Sequence, residues 1–102
     1  MKTEIDAFEF NNMLTKHTHF RVIVDETLRP MKLYVTFDRV AVMPYDYIYV
    51  CFMQSGCDMQ LTIRHIKTIA YDFDGWVTRY YITALDYTHK NIEEITYTVE
   101  CM

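Results

Sequence analysis

The chain has 102 residues, 51% of them hydrophobic and 24% charged, with a formal net charge of -4. That length and balance fit one domain with a modest core and exclude a disordered chain. No apolar run approaches the roughly 18 residues of a membrane helix, and the scattered lysines and arginines offer no basic field of the kind nucleic-acid binders use.

The opening, Met1-Lys2-Thr3-Glu4-Ile5-Asp6, is acidic too early to read as a signal or transit peptide. The three cysteines, Cys51, Cys57 and Cys101, are an odd count, which predicts reduced thiols and a cytoplasmic location. A Cys51–Cys57 disulfide across a hairpin is the competing reading. Thr3 is placed to cap a helix running to about Leu14, with Glu4 and Asp6 where the helix dipole favours negative charge. Ile5, Ala7, Phe8, Phe10, Met13 and Leu14 give that helix a broad apolar face. A strand over 5–10 is its alternative, because two phenylalanines alternate there.

From Phe20 onward the pattern changes to period two, the signature of half-buried strands. Phe20-Arg21-Val22-Ile23-Val24 is a strand, and Leu28-Arg29-Pro30 reads as a turn. Met31, Leu33, Val35 and Phe37 then alternate with Lys32, Tyr34, Thr36 and Asp38. At Asp38-Arg39 the parity flips, which predicts a tight turn or a bulge. After a break at Met43-Pro44, Ile48, Val50 and Phe52 face away from Tyr47, Tyr49 and Cys51, and both faces are apolar enough for a central strand covered twice. Gly56 and Gly75 mark two hairpin turns, one after Gln54-Ser55 and one closing Asp72-Phe73-Asp74. A strand over 59–63 and a shorter one over 68–71 lie between them. A long strand over 76–87 and a last one over 95–101 complete the chain, joined by a turn at Thr88-His89-Lys90-Asn91.

The segment Leu61-Thr62-Ile63-Arg64-His65-Ile66-Lys67-Thr68-Ile69 resembles the strand, short turn and strand that end many SH3-like and Sm-like small barrels. In the Sm-like family this region carries an Ile-Arg-Gly core that binds RNA, and the family also opens with a helix. Ile63-Arg64 match, whereas His65 stands in place of the glycine, and the chain runs on from Ala70 to Met102 where such barrels end. The resemblance spans about a tenth of the chain. The predicted fold is therefore α+β and mostly β. A short N-terminal helix precedes an antiparallel meander of five to seven strands, curled into an SH3-like or Sm-like barrel or forming a highly bent sheet.

No motif for catalysis, metal or nucleotide binding emerges, so the expectation is a non-enzyme without a cofactor. Asp72-Phe73-Asp74-Gly75 matches the opening of a calcium loop, but the twelfth position is Thr83 where a glutamate is needed. His17 and His19 lack a further ligand at zinc spacing, and a Cys57/His65/Asp58 arrangement has no supporting nucleophile elbow. The tyrosines on the second strand face are the richest set, because tyrosine supplies rigid amphipathic contact area. Tyr34, Tyr45, Tyr47, Tyr49 and Tyr87, with an acidic rim of Asp72, Asp74, Glu93 and Glu94, are the candidate protein-binding residues. They suggest a small inhibitor or adaptor of the sort encoded by phages and mobile elements, able to self-associate through an edge strand over 95–101. The alternative is a small-barrel binder of single-stranded nucleic acid using Arg64, Lys67, Arg79 and Tyr80, which the net charge disfavours. A third option is a small-ligand pocket at a barrel mouth.

Overall fold

A computed structural model describes residues 2–26, 32–43, 49–56, 60–87 and 92–101, and of residues 25, 26 and 32–35 the backbone alone. The chain begins with a short strand, β1 (Thr3–Ile5), followed by helix α1 (Ala7–Leu14). The helix cap is Asp6, whose carboxylate accepts the Glu9 N–H at 2.8 Å. Thr3, the expected cap, lies in β1 because that backbone pairs with a distant strand, Thr3 opposite Tyr71 and Ile5 opposite Ile69. The helix ends at Leu14, as the apolar spacing predicts.

Eight more strands follow: β2 (Phe20–Glu26), β3 (Lys32–Phe37), β4 (Arg39–Met43), β5 (Tyr49–Met53), β6 (Gln60–Ile63), β7 (Ile66–Asp74), β8 (Val77–Asp86) and β9 (Glu93–Cys101). They form a six-stranded antiparallel sheet in the order β1-β7-β8-β9-β2-β3 and a three-stranded antiparallel sheet in the order β4-β5-β6. The fold is mostly β with one short helix, as expected, but the described strands number nine rather than five to seven. The sheets are not closed into a barrel.

Two corners join the sheets. The parity flip at Asp38 is the first: β3 runs into β4 there and the chain changes sheets, as strands do in packed sheets that share corners. Asp38 holds this corner to the end of β5, its N–H donating to the Met53 carbonyl at 3.2 Å and its carboxylate accepting the Ser55 N–H at 2.9 Å. Hydrogen bonding by Ser55 keeps the Asp38 carboxyl below its ordinary range. The second corner is Arg64-His65, between β6 and β7.

The core lies between the large sheet on one side and α1 with the small sheet on the other. The large sheet contributes alternate residues of its inner strands β2, β8 and β9: Tyr80, Ile82 and Ala84 of β8 are buried, and the residues between them are not. Val50 and Phe52 of β5 and Ile63 of β6 meet them from the small sheet, and Phe10 and Leu14 from the helix. The Phe52 ring lies 5.8 Å from both Phe20 and Phe37, so it sits at the junction of the sheets. β5 is central in its sheet, but only its Val50–Phe52 face is buried; Tyr49, Cys51 and Met53 are half-buried. β9, expected as an edge for self-association, lies between β8 and β2 with both ladders filled. The edges are β1 and β3 in the large sheet and β4 and β6 in the small one. Cys101 is buried as a small apolar group, and its thiol is pushed up to about 12 by burial.

Candidate functional site

The β7–β8 hairpin is closed by a two-residue loop, Gly75-Trp76, between paired Asp74 and Val77. Such a loop needs positive φ at its first position, and Gly75 supplies it at 60°. Trp76 therefore belongs to neither sheet face and is 95% exposed. Phe73 shares the inward parity of Ile69 and Tyr71, yet exposure climbs along that row, from buried Ile69 through half-buried Tyr71 to Phe73 at 64%. The hairpin carries Phe73 past the layer that covers its neighbours.

The outward parity of the same hairpin is charged. Arg79 Nη1 donates to Asp74 at 3.3 Å and its Nε to Glu100 at 3.2 Å, and Glu100 also lies 3.7 Å from the Arg21 guanidinium. These carboxylates hold Arg79 above its ordinary range, Asp74 contributing most. The tip thus pairs an apolar end, Phe73 and Trp76, with a charged flank on which Asp72 and Asp74 stand beside Arg79.

The other end of the large sheet presents the second feature. At the Arg64-His65 corner, His65 has φ 56°, the left-handed conformation glycine favours. For a residue with a Cβ this costs about 1–2 kcal/mol. The corner is pinned by the Leu85 N–H, which donates to the His65 carbonyl at 2.9 Å, and by a register shift in β7 between Ile66 and Thr68. The His65 imidazole meets the Tyr87 ring edge-on, centroids 4.8 Å apart. Beside it opens a cleft of about 410 Å³ whose walls include Arg64, Asp86, Tyr87, Ile95 and Tyr97.

The expected site residues fall into separate groups. Asp72 and Asp74 flank the hairpin tip. Tyr87 is at the cleft, together with Arg64. Tyr49 lies on the outward face of the small sheet. Glu94 pairs with Lys67 across the β7 and β9 ends, and Glu93 is half-buried beside it. Tyr34 is described only as backbone of β3, and Tyr45, Tyr47, Cys57 and Asp58 lie outside the described residues, as does the turn over 88–91. Tyr80, expected to stack on bases, is 0% exposed and packs edge-on against Phe10 with ring centroids 5.2 Å apart. It is core, because its parity on β8 is that of Ile82 and Ala84. His17 lies against that same Tyr80 ring, 6.4 Å between centroids.

Phe73 and Trp76 did not figure among the expected site residues. The sequence reading gives Phe73 to the turn Asp72-Phe73-Asp74-Gly75 and Trp76 to the start of a strand, whereas β7 runs through Phe73 to Asp74 and Trp76 lies in the loop. The available signal was their position: an aromatic directly after Asp74-Gly75 sits inside the loop, where no sheet face can bury it. Comparison of the chain with protein-family models, with curated proteins and with solved structures returns no match.

Proposed function

We propose that this chain is a small non-catalytic protein-binding domain, an inhibitor or adaptor, that docks through the tip of the β7–β8 hairpin. The observation that carries the reading is the exposure of Trp76 at 95%, with Phe73 beside it at 64%. A buried aromatic removes about 150–250 Å² from water, a gross gain of roughly 4–6 kcal/mol that only a partner can collect here. Tryptophan is also the residue most enriched in interface hot spots. Asp72 and Asp74 share their flank with Arg79, so the rim of the tip is of mixed charge and suits an apolar pocket with polar groups at its edge. A cytoplasmic setting suits a small acidic domain with reduced thiols, of the kind phages and mobile elements encode. Self-association would use one of the edge strands β1, β3, β4 or β6 rather than β9.

The nucleic-acid alternative loses support residue by residue. Tyr80 is buried, Lys67 and Arg79 already face carboxylates, and only Arg64 of that set has no carboxylate partner among the described residues.

The test uses the wild type and a Phe73→Ala/Trp76→Ala double variant as baits in lysate of cells that express the chain. The expected result is a protein held by the wild type and lost by the variant, whose thermal unfolding is unchanged. Identical partners for both baits would remove the tip from this reading. No retained partner with either would remove protein binding.

A further inference from the structure

We infer that the cleft beside the Arg64-His65 corner is a binding site for a small planar monoanion, such as an aromatic carboxylate of one or two rings. The inference is independent of the hairpin tip. Its first support is size and lining: about 410 Å³ is within the range of small-molecule sites, and the walls are mostly apolar and aromatic with a few polar groups. Tyr87 and Tyr97 supply rings for a flat ligand to pack on.

The second support is charge. Arg64 is the lysine or arginine that lines the cleft, and it is exposed and, like Lys2, Lys16 and Arg39, makes no ion pair with a carboxylate among the described residues. A guanidinium presents a fork that matches a carboxylate. Asp86 lines the same cleft, so a polyanion would meet repulsion that a monoanion largely avoids.

The third support is the corner itself. The other described positive-φ positions, Gly56 and Gly75, are glycine; only His65 carries a side chain in that conformation among the described residues. Backbone strain of this kind concentrates at ligand sites, and a strand irregularity, the shift between Ile66 and Thr68, adjoins it. Glycine would relieve the strain; the imidazole that stands there instead is held against Tyr87 at the cleft.

The experiment is an NMR titration of the full chain with 2-naphthoate, and with neutral 2-naphthamide as its isostere. Naphthoate is expected to move the amides of Arg64, His65, Leu85 and Tyr87 along saturating curves and to bind at least tenfold more tightly than naphthamide. Arg64→Gln should bring naphthoate down to the naphthamide level, and His65→Gly should weaken both ligands severalfold while the spectrum stays dispersed. Trp76→Ala should leave naphthoate binding unchanged. Equal binding of acid and amide, shifts that never saturate, or shifts centred on Trp76 would each overturn the inference. So would an Arg64→Gln chain that binds naphthoate as the wild type does.

Discussion

Tyr80 is the residue where burial and chemistry conflict most. Its ring fills the core against Phe10, Tyr71 and His17, and its hydroxyl has no hydrogen-bond partner among the described groups. An orphaned buried hydroxyl costs about 1–3 kcal/mol, while the ring alone keeps the packing. Tyr80→Phe is therefore expected to stabilise the chain by about 1 kcal/mol, read as a rise in the urea midpoint at constant slope. Desolvation, aided by Cys101 and Tyr71, also pushes the Tyr80 phenol above its ordinary range, and burial pushes the Cys101 thiol up to about 12. Both groups are neutral when folded, but in the unfolded chain the Cys101 thiol ionises at roughly 8.5 and the Tyr80 phenol at roughly 10. Stability from these groups is whole below about pH 8 and falls as pH climbs toward 12, since only the unfolded state loses protons in that window. Each contributes a slope approaching 1.4 kcal/mol per pH unit once its unfolded form has titrated. Urea unfolding at pH 8, 9.5 and 10.5 should show the decline in the wild type and a shallower one in Tyr80→Phe and in Cys101→Ala. A flat wild-type profile would show that the two groups are not buried as neutral acids.

At the scale of elements, turn chemistry decides where strands end. A Cβ built on Gly75 meets nothing within 4 Å, so Gly75→Ala tests backbone conformation alone. It should cost about 1 kcal/mol, whereas Trp76→Ala at the next position should stay within about 0.5 kcal/mol because the indole touches almost nothing. Equal losses in thermal unfolding would mean that Trp76 packs on the chain after all. His65→Gly is the converse: relief of about 1–2 kcal/mol is offset by a freer unfolded chain, about 0.4–1 kcal/mol, and by the lost contact with Tyr87. These features were legible in the sequence because they are local: glycine at Gly56 and Gly75, and the parity flip at Asp38. What was not legible depended on pairing at a distance. Thr3 and Asp6 are both plausible caps, and only the ladder between β1 and β7 removes Thr3 from the choice. Nothing in the alternation of Glu93–Cys101 tells that β2 will close on its far side. The tyrosines drew attention by number, yet alternation sent Tyr80 inward and could not tell that Phe73, on the same inward parity as Tyr71, would outrun its cover.

For the whole molecule, the question is whether the small sheet has any stability of its own. Its buried side chains, Val50, Phe52 and Ile63, belong to the same cluster as Phe20, Phe37 and Val99 of the large sheet. A three-stranded sheet needs its hydrophobic face covered to be stable, and the face of this one is buried in the core it shares with the large sheet and α1, so the small sheet depends on this contact. Phe52 is its central link, touching Phe20 from β2 and Phe37 from the strand that turns the corner at Asp38. Phe52→Ala should cost about 3–5 kcal/mol, a large part of the 5–15 kcal/mol that holds an ordinary domain folded. Because the two sheets share one core, the loss should be felt by both. Amide exchange in β5 and in β8 should accelerate by the same factor, and unfolding should remain a single transition. Exchange that accelerates in β5 while β8 keeps wild-type protection would divide the molecule into two units. The hairpin tip would then stand on a large sheet that folds without its partner layer, and Phe52→Ala would leave capture through Trp76 intact.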